Sequence, residues 1–347
     1  MADWTRGMGR TYEYWEVDPS TWADVAPVDG VTGCTIIRDD DDETLGHSTL
    51  EMDGWEGERY IRSYLVTEQW GVRERWGLGT FLAQAPSVDF DGVRASSSVE
   101  GHTPLKELAD DRPPVGFCVS SGDAVAAAAR LMAAHARMPV GSPCEGTSLS
   151  EPYVAEDGDT WLSYCKGLLA KGGGKVGLDA MGRAYFSPVR NPRALMPTRV
   201  FDDSNSSIIL PGVRISSNLP DAPNAVEVVW SDGERCLVGK ASDADPDSEA
   251  SMASRGRRVL YRELSPELPD NPTQADADAL AGRILREKGA VSYEVTYTHG
   301  YVPDVMPGTA VRLRYAAAGI DVVAIVASQT IEATPGCLVT ETARYTI

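Results

Sequence analysis

The 347-residue chain is poor in positive charge and in histidine. It has 32 Lys and Arg against 51 Asp and Glu, which gives a formal net charge of -19. Such a surface repels phosphate groups, so the composition disfavours a conventional nucleic-acid-binding protein. The four histidines are scattered, and none is paired at the spacing of a metal site. They are His47, His102, His135 and His299.

Long apolar runs and closely spaced cysteines are also missing. No run of about 18 apolar residues occurs, so the sequence predicts no transmembrane helix. The first residues lack the apolar core of a secretory signal peptide. Without any Cys-x-x-Cys pair, we expect reduced, mostly buried thiols and assembly in a cytoplasm. The six cysteines are Cys34, Cys118, Cys144, Cys165, Cys236 and Cys337.

The chain has enough apolar residues to bury sizeable cores. With 42% hydrophobic residues over 347 positions, we expect two to four subdomains. Up to about Pro114 the sequence carries short segments with β-branched and aromatic residues in partial alternation, typical of a sandwich or small barrel. These segments are residues 33–38, 58–66, 76–83 and 92–101.

Helix signals follow this strand-rich part. Ser121-Gly122-Asp123 is expected to cap an Ala-rich helix that runs to about Arg137. Residues 161–169 carry apolar side chains at amphipathic-helix spacing, and a run of three glycines ends them. A hairpin is expected over residues 175–188, with its turn near 179–182. Residues 273–288 form a third helix signal.

A second β-rich region begins near Ser207. Its central strand is expected at residues 224–230, with apolar residues on both faces. Residues 293–314 are interpreted as a strand pair joined by a Pro/Gly turn. Four final strands are expected at residues 294–298, 310–315, 322–330 and 339–345.

The order of these segments, together with several short phrases, resembles the tail hub proteins of bacteriophages. These are the ring-forming components of the tail tip or baseplate, of the type found at the N-terminus of tail-associated lysins. One departure is Glu249-Ala250, where a second Pro is typical. The phrases that carry the resemblance lie at residues 160–188, 223–228, 243–251, 257–259, 274–288 and 303–313.

The resemblance implies an α+β, β-dominated fold with two β-barrel-like tube domains and small helix-containing insertion domains. The two tube domains are expected to superpose. The implied division is residues 1–115 for the first tube domain, 116–206 for an α/β insertion, 207–240 with 290–347 for the second tube domain, and 241–289 for a small one-helix insertion.

The implied function is structural. The protein would form a homotrimeric ring at the distal end of the tail tube, adapt the sixfold tube to a threefold tip, and let DNA pass. Implied partners are a distal tail protein, a tape-measure protein and a tail-tip spike or fibre, in a virion assembled in the host cytoplasm. No catalytic, cofactor or metal residues are implied. Because the chain ends after its last β unit, we also expect no lysin or fibre activity.

The basic run at residues 255–258 bears on DNA passage. Arginines inside a DNA channel would grip phosphate, so we expect this run outside the channel or at a subunit contact. The alternative is that the run balances the neighbouring acidic loop, residues 243–249, across a solvated surface.

Four patterns suggest chemistry, and each has a structural alternative. Acidic runs at residues 39–42 and 243–247 suggest calcium, but counting from Asp243 an EF-hand would need Gly at position 248 and Glu at 254, where the chain has serines. Gly172-Gly173-Gly174-Lys175 lacks phosphate-loop spacing and is expected to be a helix cap. The remaining two patterns involve cysteines and tryptophans.

A Cys–His peptidase is one open alternative, because such sites assemble in space. It would pair Cys118 or Cys165 with His135 or His299. Tryptophans concentrate in the first quarter of the chain, where core or interface roles are favoured over a glycan-binding platform. They are Trp4, Trp15, Trp22, Trp55, Trp70 and Trp76. A peptidoglycan-acting enzyme remains a further alternative.

Overall fold

The computed structural model describes residues 2–54, 57–85, 88–93, 95–189, 195–204, 207–269 and 271–346. The chain forms two compact units. The first consists of Met1–Val213 with Tyr297–Ala343, and the second of Arg214–Thr296 with Arg344–Ile347. Strands outnumber helices, so the predicted β-dominated α+β class is confirmed.

The N-terminal strands of the first unit form an antiparallel ladder. Its order is β3-β4-β8-β6-β5-β1-β2, with β7 beside β8. Ile36, Leu50, Ile61 and Phe81 pack into one core on this ladder, as strand alternation requires. The strands are β1 (Gly9–Val17), β2 (Asp24–Pro27), β3 (Val31–Asp39), β4 (Gly46–Asp53), β5 (Arg59–Gln69), β6 (Val72–Gln84), β7 (Asp89–Phe90) and β8 (Ala95–His102).

The helix-bearing segment that follows matches its prediction. Asp123 accepts a hydrogen bond from the Ala126 amide and so caps α2. Thr160 and Ser163 form a capping box on α3, and Gly173, in left-handed backbone, ends that helix. The elements are α1 (Lys106–Asp110), β9 (Cys118–Val119), α2 (Ala124–His135), β10 (Tyr153–Val154), α3 (Trp161–Gly172), β11 (Gly174–Leu178) and β12 (Ala184–Pro188).

The rest of the chain contributes nine strands and two helices to the described structure. They are β13 (Arg199–Asp202), β14 (Ile209–Ser217), β15 (Ala225–Ser231), β16 (Cys236–Ser242), α4 (Met252–Arg255), β17 (Leu260–Glu263), α5 (Gln274–Lys288), β18 (Ser292–Gly300), β19 (Ala310–Tyr315), β20 (Ile320–Glu332) and β21 (Leu338–Thr346). In the first unit β20 pairs with β3, which joins the C-terminal strands to the N-terminal ladder. β13 adds to β19 in parallel.

The predicted strand pair over residues 293–314 is wrong in its pairing. Both strands exist, but β18 lies beside β14 and β21, whereas β19 lies beside β13 and β20. A hairpin needs a short loop, and here nine residues separate the strands. Within that connection Tyr301, Val302 and Val305 are buried, so it runs through a core instead of reversing the chain.

The second unit contains a three-stranded sheet of order β16-β15-β17. Val226 and Val228 of β15 pack against Leu280 and Ile284 of α5. The helix lies so close that a Cβ on Gly239 would meet the Ala277 carbonyl oxygen at 2.1 Å. α5 therefore covers one face of this sheet.

The two compact units do not coincide with the two predicted tube domains. Strands β15 and β16 lie in the second unit together with β17 and α5, whereas β19 and β20 lie in the first unit. The predicted pairing of residues 207–240 with 290–347 in one tube domain, and its superposition on the first, stays a prediction.

Candidate functional site

The first acidic run forms the turn between β3 and β4. Asp39 Oδ1 accepts a hydrogen bond from the Asp41 amide at 2.9 Å, and Asp42 Oδ1 accepts one from the Thr44 amide at 2.7 Å. Asp40 Oδ2 lies 3.1 Å from Lys175 Nζ. The carboxylates of Asp39 and Asp42 stabilise this turn by accepting hydrogen bonds from its own backbone. This arrangement supports a solvent-exposed turn as the structural alternative to a calcium site.

The second acidic run is organised in the same way. Asp243 Oδ1 accepts from the Asp245 amide at 3.0 Å, and Asp245 Oδ1 accepts from the Asp247 amide at 2.9 Å. Ser248 donates its hydroxyl to Asp243 Oδ2 at 2.6 Å. Across the described ranges, no group of three or more His, Cys, Asp and Glu side chains could hold a metal ion.

The glycine run before Lys175 is a helix cap, as predicted. Gly173 has φ 73° and ψ 21°, and its amide bonds back to the carbonyls of Leu169 and Ala170. Glycine reaches this left-handed conformation without a steric penalty. Lys175 follows on β11, where its ammonium group pairs with the Asp40 carboxylate. The segment is therefore not a phosphate-binding loop.

The cysteines and histidines that could form a peptidase site make no Cys–His hydrogen bond among the described residues. Burial raises the pKa of Cys165 to about 12, the reverse of what a thiolate nucleophile needs. His135 stacks on Trp161 with ring centroids 3.8 Å apart. Cys118 is exposed on β9, and in the described part of the chain no hydrogen bond links either thiol to His135 or His299.

His299 belongs to a buried polar network instead. Glu341 is fully buried and accepts hydrogen bonds from the Tyr297 hydroxyl and from Gln329 Nε2, the latter at 2.5 Å. His299 Nε2 lies 3.1 Å from Glu341 Oε1. Arg38 donates to Gln329 Oε1 at 3.1 Å. The network therefore crosses four neighbouring strands and ties β3 to the C-terminal part of the first unit.

The tryptophans of the first quarter divide between core and surface. Trp22 is buried, and Trp4 packs edge-on against Trp76 with centroids 5.2 Å apart. The Arg75 guanidinium lies over the Trp15 ring. Trp70 alone among the described tryptophans is largely exposed, at 71%. Trp55 lies outside the described residues.

Arg62 is the best-organised charged group of the first unit. Its side chain is only 2% exposed, and its Nη1 lies 2.7 Å from Asp24 Oδ1. It donates to Thr80 Oγ1 at 2.8 Å and to the Met181 carbonyl at 3.2 Å. Trp22 Nε1 reaches the same carbonyl at 2.7 Å. Arg62 thus fastens the β11–β12 turn to the N-terminal ladder, a link that no local sequence signal predicts.

The basic run has partners other than the acidic loop. Arg255 donates to the carbonyls of Ala222 and Pro220, at 2.6 and 2.9 Å. Arg258 Nη2 lies 3.0 Å from Glu227 Oε1. The alternative in which the run balances residues 243–249 is therefore wrong for these two arginines. A role at a subunit contact stays a prediction.

No described helix is both long and apolar enough to cross a membrane. No family model matches the sequence. No curated protein matches it either.

Solved structures match the fold over nearly the whole chain. A tail protein from Neisseria meningitidis MC58 aligns with TM-score 0.63 and 14% identity, covering 97% of each chain. The 43 kDa tail protein of prophage MuSo2 from Shewanella oneidensis aligns with TM-score 0.65 and 13% identity, covering 96% of this chain and 98% of that one. A chain of the Francisella PdpA-VgrG complex aligns with TM-score 0.58 and 8% identity, covering 98% of this chain and 58% of that one. The chain therefore has the fold that these two tail proteins share.

Proposed function

We propose that this protein is a structural tail hub that forms a homotrimeric ring at the distal end of a phage tail tube. The observation that carries the proposal is the fold match to two tail proteins, which covers at least 96% of this chain and 97% of each relative. A match over two whole chains leaves no large part of this protein outside the tail fold. The structural role is inferred by analogy with the fold of these tail proteins.

In this role the protein adapts symmetry. Two similar β units in each of three subunits present six positions to the tube and three to the tip. Its partners are then a distal tail protein and a tape-measure protein on the tube side, and a spike or fibre at the tip. The site of action is the virion tail, after assembly in the host cytoplasm.

The net charge of -19 supports a second part of the proposal. A channel with acidic walls gives phosphates no favourable contacts, so DNA passes without being held. We expect the ring to bind duplex DNA no more tightly at physiological salt than a neutral protein does.

Mass photometry of the purified chain, with light scattering at micromolar concentration, tests the ring. The expected result is a species with the mass of three chains. A strict monomer across this range would overturn the homotrimer, while the fold assignment would stand.

A glycan-binding tail module is the second candidate, and the exposure of Trp70 is the observation that favours it. Exposed aromatic rings can stack on sugars. Binding on a glycan array that disappears in Trp70→Ala would support this candidate. Equal signals from the wild type and the variant would remove it.

A further inference from the structure

The three-stranded sheet of the second unit has one face that α5 does not cover. Because opposed residues in paired strands share a face, Glu227 of β15 shares this face with Lys240 of β16 and Arg262 of β17. The next row holds Val229 opposite Val238. We call these five residues the open face.

The open face concentrates positive charge in a strongly acidic chain. Arg262 donates from Nε and Nη2 to Glu227 Oε2, at 3.1 and 2.8 Å. Arg258 donates to the other carboxylate oxygen of Glu227. Lys240 lies across from Glu227 on the other neighbouring strand and is exposed. Two arginines therefore bind one carboxylate, and a lysine lies opposite it on the neighbouring strand.

These cations remain available to a partner. The side chains of Arg258 and Arg262 are 52% and 53% exposed although both contact Glu227. Arg257, beside Arg258, is also exposed. Neither Lys240 nor Arg257 has an ion pair among the described residues. The half-exposed valines in the next row add an apolar strip beside the charges, as at the edge of a protein interface.

We propose that the open face docks an acidic surface of a second copy of this chain. The inference rests on the proposed ring and locates one of its contacts. Charge complementarity carries it, since carboxylates outnumber basic side chains by 51 to 32 in the chain and a second copy can therefore offer acidic surface to these cations.

A phosphate partner fits the open face less well than a carboxylate-bearing protein surface does. The carboxylate of Glu227 accepts hydrogen bonds from Arg258 and Arg262. Its negative charge would repel a phosphate group that approached these arginines. The Val229–Val238 row gains nothing from a phosphate backbone but can be buried by a protein. DNA binding is therefore the competing outcome in the test.

The test compares two charge-reversed variants by sedimentation equilibrium at several salt concentrations. Lys240→Glu/Arg257→Glu reverses the open-face lysine and the exposed arginine next to Arg258 in the chain, and breaks no ion pair that the structure shows. Arg283→Glu/Arg286→Glu, on exposed positions of α5, is the charge-matched control on the opposite side of the same sheet. Thermal melts establish that both variants fold like the wild type.

We expect the open-face variant to weaken assembly about tenfold or more and the α5 variant to leave it unchanged. The difference should shrink at high salt because the contact is partly electrostatic. Equal weakening by both variants would overturn the proposal in favour of a general charge effect.

Two further outcomes would separate this proposal from the ring itself. A wild-type trimer that Lys240→Glu/Arg257→Glu leaves intact would overturn the open-face contact and leave the ring standing. A wild-type monomer at all concentrations would overturn both. Duplex DNA binding at physiological salt that only the open-face variant loses would assign the face to phosphate and also overturn the proposal.

Discussion

The two units use arginine on a sheet face in opposite ways. Arg62 in the first unit is covered by the β11–β12 turn and touches a carboxylate, a hydroxyl and backbone carbonyls. Arg258 and Arg262 in the second unit share one carboxylate and stay half exposed. Removing one member of a buried pair leaves an uncompensated charge, whereas an exposed pair contributes little to stability. The buried arginine therefore holds the fold, and the exposed pair is free to take part in recognition.

Substitution of the buried arginine should have the largest effect. Arg62→Met removes the ion pair with Asp24 and the hydrogen bonds to Thr80 and Met181. Asp24 keeps Tyr64 and Arg75 as partners, and the Met181 carbonyl keeps Trp22, so we expect a loss of about 2–4 kcal/mol in the free energy of unfolding. Urea titration measures it. Arg6→Met is the control, because Arg6 is exposed and its one ion pair within the described residues is with nearby Asp3. If both variants unfold at the same urea concentration, Arg62 does not hold the fold.

The turn that covers Arg62 should be the next most sensitive position. Gly182 has φ 70°, and a Cβ there would lie 2.8 Å from Thr80 Cβ. We expect Gly182→Ala to cost about 1–3 kcal/mol, from backbone strain and from displacement of the turn. Gly319→Ala is the matched control, since Gly319 has φ 67° and nothing within 4 Å. The control carries the backbone strain alone, so an equal loss in both variants would mean that the turn is not tightly seated.

Trp22 is buried and Trp70 is exposed, so the two tryptophans also allow buried and exposed positions to be compared. Trp22 and Trp70 both have left-handed backbone, with φ 58° and 52°, but only Trp22 is buried and bonded to the Met181 carbonyl. Trp70→Gly should raise the free energy of unfolding by up to about 1 kcal/mol, because glycine adopts this conformation without strain. Trp22→Gly should lower it. Differential scanning calorimetry measures both, and destabilisation by Trp70→Gly would show that its side chain makes contacts that the exposure does not reveal.

The smallest effect is expected on the open face and depends on pH. Hydrogen bonds from Arg262, and then from Arg258, hold the pKa of Glu227 below its usual value. A lowered folded-state pKa gives stability that is present at neutral pH and is lost as pH falls through that pKa. The stability difference between wild type and Glu227→Gln should therefore be small at pH 7 and vanish in acid. A difference that grows on acidification would contradict this sign.

Local signals predicted the three longer helices, α2, α3 and α5, and the β11–β12 hairpin, but not the short helices α1 and α4 or the long-range strand pairing. Asp123 lies in the predicted cap of α2, and Thr273 lies at the predicted start of α5, because a cap is decided within one turn of helix. The partner of β19 could not be read in this way. β13 lies more than 100 residues earlier in the chain and pairs with β19 in parallel, so only tertiary packing selects it.

The charged positions show the same limit. Arg62 was visible only as part of an alternating strand segment, because its carbonyl partner Met181 is 119 residues away. Glu227 is one polar position in the predicted strand at residues 224–230, and of its two arginine partners only Arg258 belongs to the basic run that the sequence sets against the acidic loop. The assignment of Arg262 to Glu227 needed the parallel register of β15 and β17. Sequence could name these residues but not their partners.

Electron cryomicroscopy of the purified protein tests the central claim most directly. The tail hub account predicts closed rings with threefold symmetry, in which the two β units of each subunit occupy six similar positions around a channel. Rings of another symmetry, or single chains without any ring at concentrations where the fold is intact, would contradict it.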